Sequence, residues 1–154
     1  MPLTLLTGAS ISDAKREMSL MVRDGILSTH VRRLAEEAGA AVPGIFDFVR
    51  DTFPYALDPE GTELFISPNR IAEDYYQGRV RMGDCEDLAM LTAAMVGSVG
   101  YKSRVMVIAT QGLDWDHAVA QVSTPDLGWL NCDVSDKTHP LGWVIPGRKT
   151  YAIP

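Results

Sequence analysis

Cys85 is the residue whose surroundings best suit a chemical role. It stands at the first position of a helix expected over 84–100, where unpaired backbone N–H groups and the positive end of the helix dipole stabilise an anion. The thiolate is the nucleophilic form of cysteine, and a helix N-terminus is a recurrent means of lowering the pKa of a thiol. The position therefore favours a nucleophile over a structural cysteine.

Three acidic residues around Cys85 oppose this interpretation. Asp84, Glu86 and Asp87 place negative charge beside the thiol, and negative charge raises the pKa of a thiol. Activation then requires that these carboxylates point to solvent and that a protonated imidazole lies nearby to compensate.

His117 and Asp133 could supply the base and the group that orients it. His117 begins an alternating run at 117–122, and Asp133 lies in a second run at 129–134. Side chains alternate between the two faces of a strand, so these two residues can meet on one face if the strands are neighbours. That face would present an imidazole and a carboxylate to the helix end that carries Cys85, which is the arrangement of a catalytic triad.

The neighbouring residues leave alternatives open. Asp136 is a rival to Asp133 as the orienting group. By the same alternation, Cys132 points away from the site and is expected to be structural. His139, which precedes Pro140, is expected in a loop, exposed or locally hydrogen-bonded.

A zinc site is a further open alternative, built from Cys85, Cys132, His117 and His139. Thiolates and imidazoles are common zinc ligands, but the spacing lacks the short pairs typical of structural zinc sites. The leading prediction is therefore a site with no metal and no cofactor.

The helix expected over 84–100 has recognisable ends. Asp84 can cap its N-terminus, Asp87 three residues later completes a capping box, and Gly100 suits the left-handed residue that ends a helix. Its apolar residues recur at helical spacing, which predicts one buried face. That face contains Leu88, Leu91, Met95 and Val99.

The rest of the pattern predicts an α+β fold, with a helical half at about 1–100 and a sheet half at about 101–154. A long helical region contains Ser28 as an internal cap and ends near Gly39. The expected elements are helical segments at 12–40 and 44–51, a loop at 58–68 with an extended piece at 64–66, strands at 104–110, 117–123 and 128–134, and an edge strand at 149–153. The helix that carries Cys85 is expected to pack on the C-terminal antiparallel sheet, giving one domain over 1–154.

Composition excludes several other classes of protein. The 154 residues are 46% hydrophobic and 22% charged, with a net charge of -6, which is typical of a soluble globular domain and unsuited to nucleic-acid binding. No apolar stretch is long enough for a membrane span, and the N-terminus lacks the features of an export signal. A cytoplasmic protein without disulfides is therefore expected.

Three segments resemble the core of the transglutaminase-like superfamily, whose fold is papain-like. The segment GDCEDLAMLTAAMVGSVGYKSRVMVI resembles its Gly-x-Cys turn, the helix that follows and the next strand. Downstream, WDHAVAQV resembles the histidine strand of the family and WLNCDVSD its aspartate strand. The order and spacing agree over about 79–134.

This resemblance implies acyl transfer through a Cys85 thioester, with His117 as base and Asp133 as orienting group. Hydrolysis of an amide or peptide bond is favoured over transamidation, because no feature of the sequence indicates a second substrate pocket that excludes water. The expected partner is a peptide or protein substrate. The chain is too short for the accessory β domains of the large crosslinking enzymes, and no dense carboxylate loop indicates calcium control.

The resemblance also implies an oxyanion site. In this superfamily the oxyanion is held by the backbone N–H of the cysteine and by a donor from upstream in the chain. Gln77 is one candidate for that donor, and Tyr76 or its neighbour Tyr75 is another.

A narrower resemblance points to small bacteriophage and prophage proteins. The acids after Cys85, the upstream segment TELFISP and the trailing LGW carry it. Phage structural proteins are then candidate partners, and the chain could be associated with the virion. The alternative function is a non-enzymatic assembly or adaptor protein in a phage particle, with a vestigial triad.

Overall fold

The computed structural model describes residues 10–57 and 65–154, and within these ranges the helices precede the strands, as the α+β prediction requires. The helices are α1 (Ile11–Ile26), α2 (Thr29–Glu37), α3 (Val42–Thr52), α4 (Pro68–Tyr76) and α5 (Cys85–Ser98), and the strands are β1 (Ser103–Ala109), β2 (His117–Thr124), β3 (Gly128–Cys132) and β4 (Arg148–Ala152). Among the described residues, no helix combines the length and apolar character needed to cross a bilayer.

The centre of the fold is α5, which is buried on all sides. Every residue from 85 to 96 is buried, because the other four helices and the strands β1 and β2 pack around it. The prediction of a single apolar face through Leu88 and Leu91 is therefore too narrow. The pattern identifies the residues of one face, but it does not exclude burial of the others.

Both predicted ends of α5 are confirmed. The Asp84 carboxylate accepts a hydrogen bond from the backbone N–H of Asp87 at 3.2 Å, and the Asp87 carboxylate accepts one from the N–H of Asp84 at 3.2 Å. Gly100, with φ of 103°, adopts the left-handed conformation just beyond the helix. The reciprocal cap fixes the first turn, and with it the backbone of Cys85.

The four strands form an antiparallel sheet in the order β3-β2-β1-β4, so β4 is an edge strand as predicted. The predicted alternation is confirmed. Ala118, Ala120 and Cys132 belong to the face that packs in the main core with α5, whereas His117 pairs with Ile108 on the opposite face. The small alanines allow the helix to approach the sheet closely.

The helix α4 is absent from the sequence-based prediction. Its signal is a serine followed by proline: the Ser67 hydroxyl accepts a hydrogen bond from the backbone N–H of Arg70 at 3.2 Å, and Pro68 occupies the first turn. Of the loop predicted at 58–68, residues 58–64 lie outside the described residues. The extended piece expected at 64–66 stays a prediction: residue 64 lies outside the described residues, and Phe65 and Ile66 do not pair in a strand.

Gly25 marks a close approach of α1 to α4 and α5. A Cβ atom there would lie 2.7 Å from the Cβ of Ala94 and 2.9 Å from that of Pro68. These atoms are fixed to the backbone, so Gly25→Ala is expected to destabilise the protein by about 1–3 kcal/mol, despite the higher helix propensity of alanine. Urea unfolding measures the change, with the exposed Ser12→Ala as control. Equal stability of both variants would contradict this packing.

Candidate active site

Cys85 is the first residue of α5, and its thiol is buried. The residue is 7% exposed, and its Sγ donates to Glu86 Oε2 at 3.4 Å. Burial raises the pKa of the thiol well above its usual value, and the charges of Glu86 and Asp84 add to this effect. The backbone N–H of Ala118 acts in the opposite direction. The thiol of the free protein is therefore held in its protonated form, with the first residues of β2 beside it.

Activation of the Cys85 thiol was expected to require that its acidic neighbours point to solvent, and this condition is not met. Asp84, Glu86 and Asp87 are all buried, and none of them points freely to solvent. Asp87 holds the chain upstream, because its Oδ1 accepts a hydrogen bond from the backbone N–H of Ile66 at 2.8 Å. The three acids thus belong to the structure of the helix end and stay close to the nucleophile.

Asp87 makes stability depend on pH. Burial and the charge of Asp84 raise the pKa of Asp87 from 3.8 to about 8. The unfolded chain therefore releases this proton first, and the free energy of unfolding is expected to fall as the pH rises from about 4 to about 8. Urea unfolding across this range should show a shallower decline for Asp87→Asn, which cannot ionise. The exposed Asp51→Asn should retain the decline of the native protein, and an unchanged slope in Asp87→Asn would contradict the assignment.

His117 and Asp133 meet at the ends of adjacent strands. His117 is the first residue of β2, and its Nε2 lies 3.2 Å from Oδ2 of Asp133, which follows β3 and is 1% exposed. The Ser135 hydroxyl donates to the other carboxylate oxygen at 2.9 Å. Since Nε2 is engaged with the carboxylate, Nδ1 is the ring nitrogen left to accept a proton.

Asp133 is ionised at neutral pH. Burial acts to raise its pKa, but hydrogen bonds with His117 and His139 outweigh it and lower the pKa of Asp133 to about 2. A charged carboxylate can fix the Nε2–H tautomer of His117 and stabilise its protonated form. The carboxylate is thus suited to orient a general base.

His139 also belongs to this cluster, although the sequence predicted it only as a loop residue, exposed or locally hydrogen-bonded, or as a zinc ligand. Its Nδ1 lies 2.7 Å from the same Oδ2 of Asp133, and its ring stacks on Trp143 with centroids 4.8 Å apart and planes 9° apart. Arg50 donates to the backbone carbonyl of His139 at 3.0 Å. One carboxylate oxygen therefore serves two imidazoles. His139 lies in a loop without strand periodicity. The only sequence signal for its place in the cluster was that it is a histidine.

The rival Asp136 has other partners. Its carboxylate accepts hydrogen bonds from the backbone N–H and the hydroxyl of Thr138, at 2.8 and 2.6 Å, and lies 3.4 Å from Nε2 of His139. His117 contacts Asp133 instead. The geometry therefore favours Asp133 over Asp136 as the group that orients His117.

Cys132 lies in the main core, and the described ranges contain no group of three or more His, Cys, Asp and Glu side chains arranged to hold a metal ion. Burial raises the pKa of the Cys132 thiol to about 12. The arrangement gives no support to the zinc alternative.

A cavity of about 480 Å³ opens beside the two imidazoles. It is lined by Tyr55, His117, Asp133 and the polar segment 135–139. A second cavity of about 330 Å³ continues from it, and Tyr55, Ser135 and Lys137 line both. Sequence reasoning missed Tyr55, which reaches this region from the end of α3.

The residues predicted as oxyanion donors contact residues other than Cys85. Gln77 accepts a hydrogen bond from Arg79 at 2.7 Å, and the ring of Tyr76 lies 4.1 Å below the guanidinium of Arg33 on α2. Tyr75 packs in an aromatic cluster with Phe53. Their role as donors stays a prediction, and none of these contacts brings them to Cys85.

Cys85 and His117 themselves are not hydrogen-bonded in the described structure, where the thiol donates to Glu86 instead. Catalytic contacts are commonly loose before substrate binds. The structure therefore assembles the base with its orienting carboxylate and sets the nucleophile next to the same strand.

The model of the transglutaminase-like superfamily core matches residues 27–134. The chain belongs to the transglutaminase-like superfamily. The matched part of this superfamily member contains Cys85, His117 and Asp133 and ends before Asp136 and His139. The family thus accounts for the fold, and the second imidazole lies beyond the shared core.

Solved structures of this superfamily fold resemble the chain at low identity. LapG from Legionella pneumophila, in its EGTA-treated form, is 19% identical, with 79% of this chain and 71% of that chain covered and a TM-score of 0.50. A candidate cysteine protease from Cytophaga hutchinsonii is 15% identical, with 84% and 52% covered and a TM-score of 0.51. A candidate protease from Parabacteroides distasonis is 15% identical, with 92% and 30% covered and a TM-score of 0.51.

These identities establish the fold alone. This chain spans only about half of the Cytophaga protein and less than a third of the Parabacteroides protein. No curated protein matches the chain significantly. The narrower resemblance to bacteriophage proteins gains no support from these matches and stays a prediction.

Proposed function

We propose that this chain is a thiol-dependent acyl-transfer enzyme that hydrolyses amide or peptide bonds, with Cys85 as nucleophile, His117 as base and Asp133 as orienting group. The observation that carries the proposal is the bond of 3.2 Å between His117 Nε2 and Asp133 Oδ2 at the cavity wall. It leaves Nδ1 to accept the thiol proton, which is the division of roles in a triad.

The raised pKa of Cys85 defines how the first step must proceed. Because the resting thiol is protonated, its proton passes to His117 Nδ1 as sulfur attacks the substrate carbonyl. The S–C bond forms while the carbonyl π electrons move to oxygen. The tetrahedral intermediate collapses by expelling the amine, which takes the proton from His117 and leaves a thioester on Cys85.

Hydrolysis of that thioester is favoured by the polar cavity. The segment 135–139 lines it with polar side chains, and two of its residues, Lys137 and Thr138, are exposed, so water can reach the acyl group. His117 then removes a proton from water, which attacks the thioester carbonyl, and the thiol is released with its proton restored. An amine that entered the same cavity would give transamidation instead.

The competing proposal is a non-enzymatic assembly or adaptor protein. The contact between the Cys85 thiol and Glu86 favours it, because a protonated thiol bonded to a buried carboxylate is a poor nucleophile. A peptide or protein substrate, a cytoplasmic location and association with phage particles all remain predictions from the sequence.

A peptide library distinguishes these proposals. The protein is incubated with the library in water labelled with heavy oxygen, with and without a primary diamine, and the products are identified by mass spectrometry. Hydrolysis predicts labelled carboxyl termini that are absent with Cys85→Ala and present with Cys132→Ala. Diamine adducts in place of labelled termini would favour transamidation, and no products with either the native protein or Cys132→Ala would favour the adaptor.

A further inference from the structure

Tyr55 is a half-exposed tyrosine on the wall of the cavity that holds His117 and Asp133. The residue is 45% exposed, and its hydroxyl makes no hydrogen bond within the described ranges. A polar group that faces a cavity without a protein partner is available to a ligand.

The backbone around Tyr55 is fixed to the turn that carries Cys85. Tyr55 and Gly83 form a parallel bridge. The N–H of Gly83 donates to the carbonyl of Pro54 at 3.1 Å, and the N–H of Ala56 donates to the carbonyl of Gly83 at 2.9 Å. Gly83 is two residues before Cys85, so the phenol and the nucleophile are positioned by one piece of backbone pairing.

Burial and the negative groups near Tyr55 keep its phenol protonated. The same negative groups make a neutral hydrogen-bond donor important at this place. Burial raises the pKa of Tyr55 to about 12, with further contributions from Cys85, Asp84, Glu86 and Asp133. Tyr55 is therefore a hydrogen-bond donor at all physiological pH values. The same negative groups would destabilise an oxyanion formed at Cys85, so a neutral donor beside them has a large effect.

We infer that Tyr55 is a catalytic residue, whose hydroxyl donates a hydrogen bond to the substrate carbonyl oxygen as this becomes the tetrahedral oxyanion at Cys85. No proton is transferred: the hydroxyl and the backbone N–H of Cys85 together stabilise the negative charge until the intermediate collapses. The inference rests on the proposed function, and it assigns to Tyr55 the role that the sequence gives to Gln77 or Tyr76.

Two reactions of Cys85 separate this role from a structural one. p-Nitrophenyl acetate acylates the thiol through an oxyanion, whereas iodoacetamide alkylates it by displacement at carbon with no oxyanion. Tyr55→Phe removes only the hydroxyl, and it is expected to slow the nitrophenol burst about 100-fold while the alkylation rate is unchanged. The control Tyr101→Phe removes a hydroxyl from the turn after α5 and should alter neither rate.

The outcomes distinguish the role of Tyr55 from the proposed function. A burst that persists at the native rate in Tyr55→Phe would overturn the role of Tyr55 alone. A parallel loss of burst and alkylation would also overturn it, because a disturbed thiol would then explain both. Absence of a Cys85-dependent burst in the native protein, with Tyr55 intact, would overturn the proposed function itself and the inference with it.

Discussion

Asp133→Asn is expected to lower the rate of Cys85 acylation by about four orders of magnitude, the loss typical of the same change in serine protease triads. The neutral amide cannot stabilise the imidazolium that forms when His117 takes the thiol proton. Its NH₂ group, if turned toward the rings, would also favour the wrong tautomer of His117. The same oxygen serves both His117 and His139, so the change alters the contacts of both imidazoles.

Asp136→Asn is the matched control for this prediction. Its carboxylate contacts Thr138 and His139 but not His117, so the acylation rate should remain close to that of the native protein. The rates of the p-nitrophenol burst in the two variants are compared by stopped-flow measurement. The comparison is valid when both variants have the same thermal stability. Similar losses in both would show that Asp133 is not the specific partner of the base.

His117→Ala is expected to slow the same p-nitrophenol burst by about 10⁴-fold or more. The reason lies in the nucleophile: burial, Glu86 and Asp84 raise the pKa of the Cys85 thiol, so without a base the thiolate is scarce at neutral pH. Iodoacetamide alkylation should also slow at neutral pH and recover as the pH rises toward the pKa of the thiol.

His30→Ala is the control for His117→Ala. His30 lies on α2, where its ring is near Tyr76, and its removal should leave the burst and the alkylation rate unchanged. Alkylation of His117→Ala at the native rate near neutral pH would mean that the imidazole does not activate the thiol. The adaptor proposal would then be favoured.

Much of the fold could be predicted from local sequence signals. The capping box of Asp84 and Asp87 and the stop at Gly100 defined α5, because such signals depend only on neighbouring residues. The contact of His117 with Asp133 was predictable for a related reason: β2 and β3 are consecutive, and alternation determines which of their residues share a face.

Alternation does not determine which face of the sheet packs on the body of the helix. Ala118 and Ala120 pack toward α5 because their small size permits close approach, and this places His117 on the other face. The orientation depends on how two separate elements pack. No short segment of the sequence contains that information.

The missed members of the site depend on contacts between distant parts of the chain. Tyr55 reaches the site through its bridge with Gly83, and His139 returns to Asp133 through an irregular loop. Neither segment has a periodicity that would reveal the contact. The state of the thiol is a similar case, since the sequence shows acids beside Cys85, and only their burial decides that they raise its pKa.

The central claim is that Cys85 forms a covalent acyl intermediate. It is tested most directly by quenching the reaction with p-nitrophenyl acetate in acid and mapping the acetyl group by peptide mass spectrometry. We expect an acetyl group on Cys85 that forms and decays during turnover, with far slower formation in His117→Ala. An acetyl group found on Cys132 alone, or none on Cys85 at any time, would contradict it.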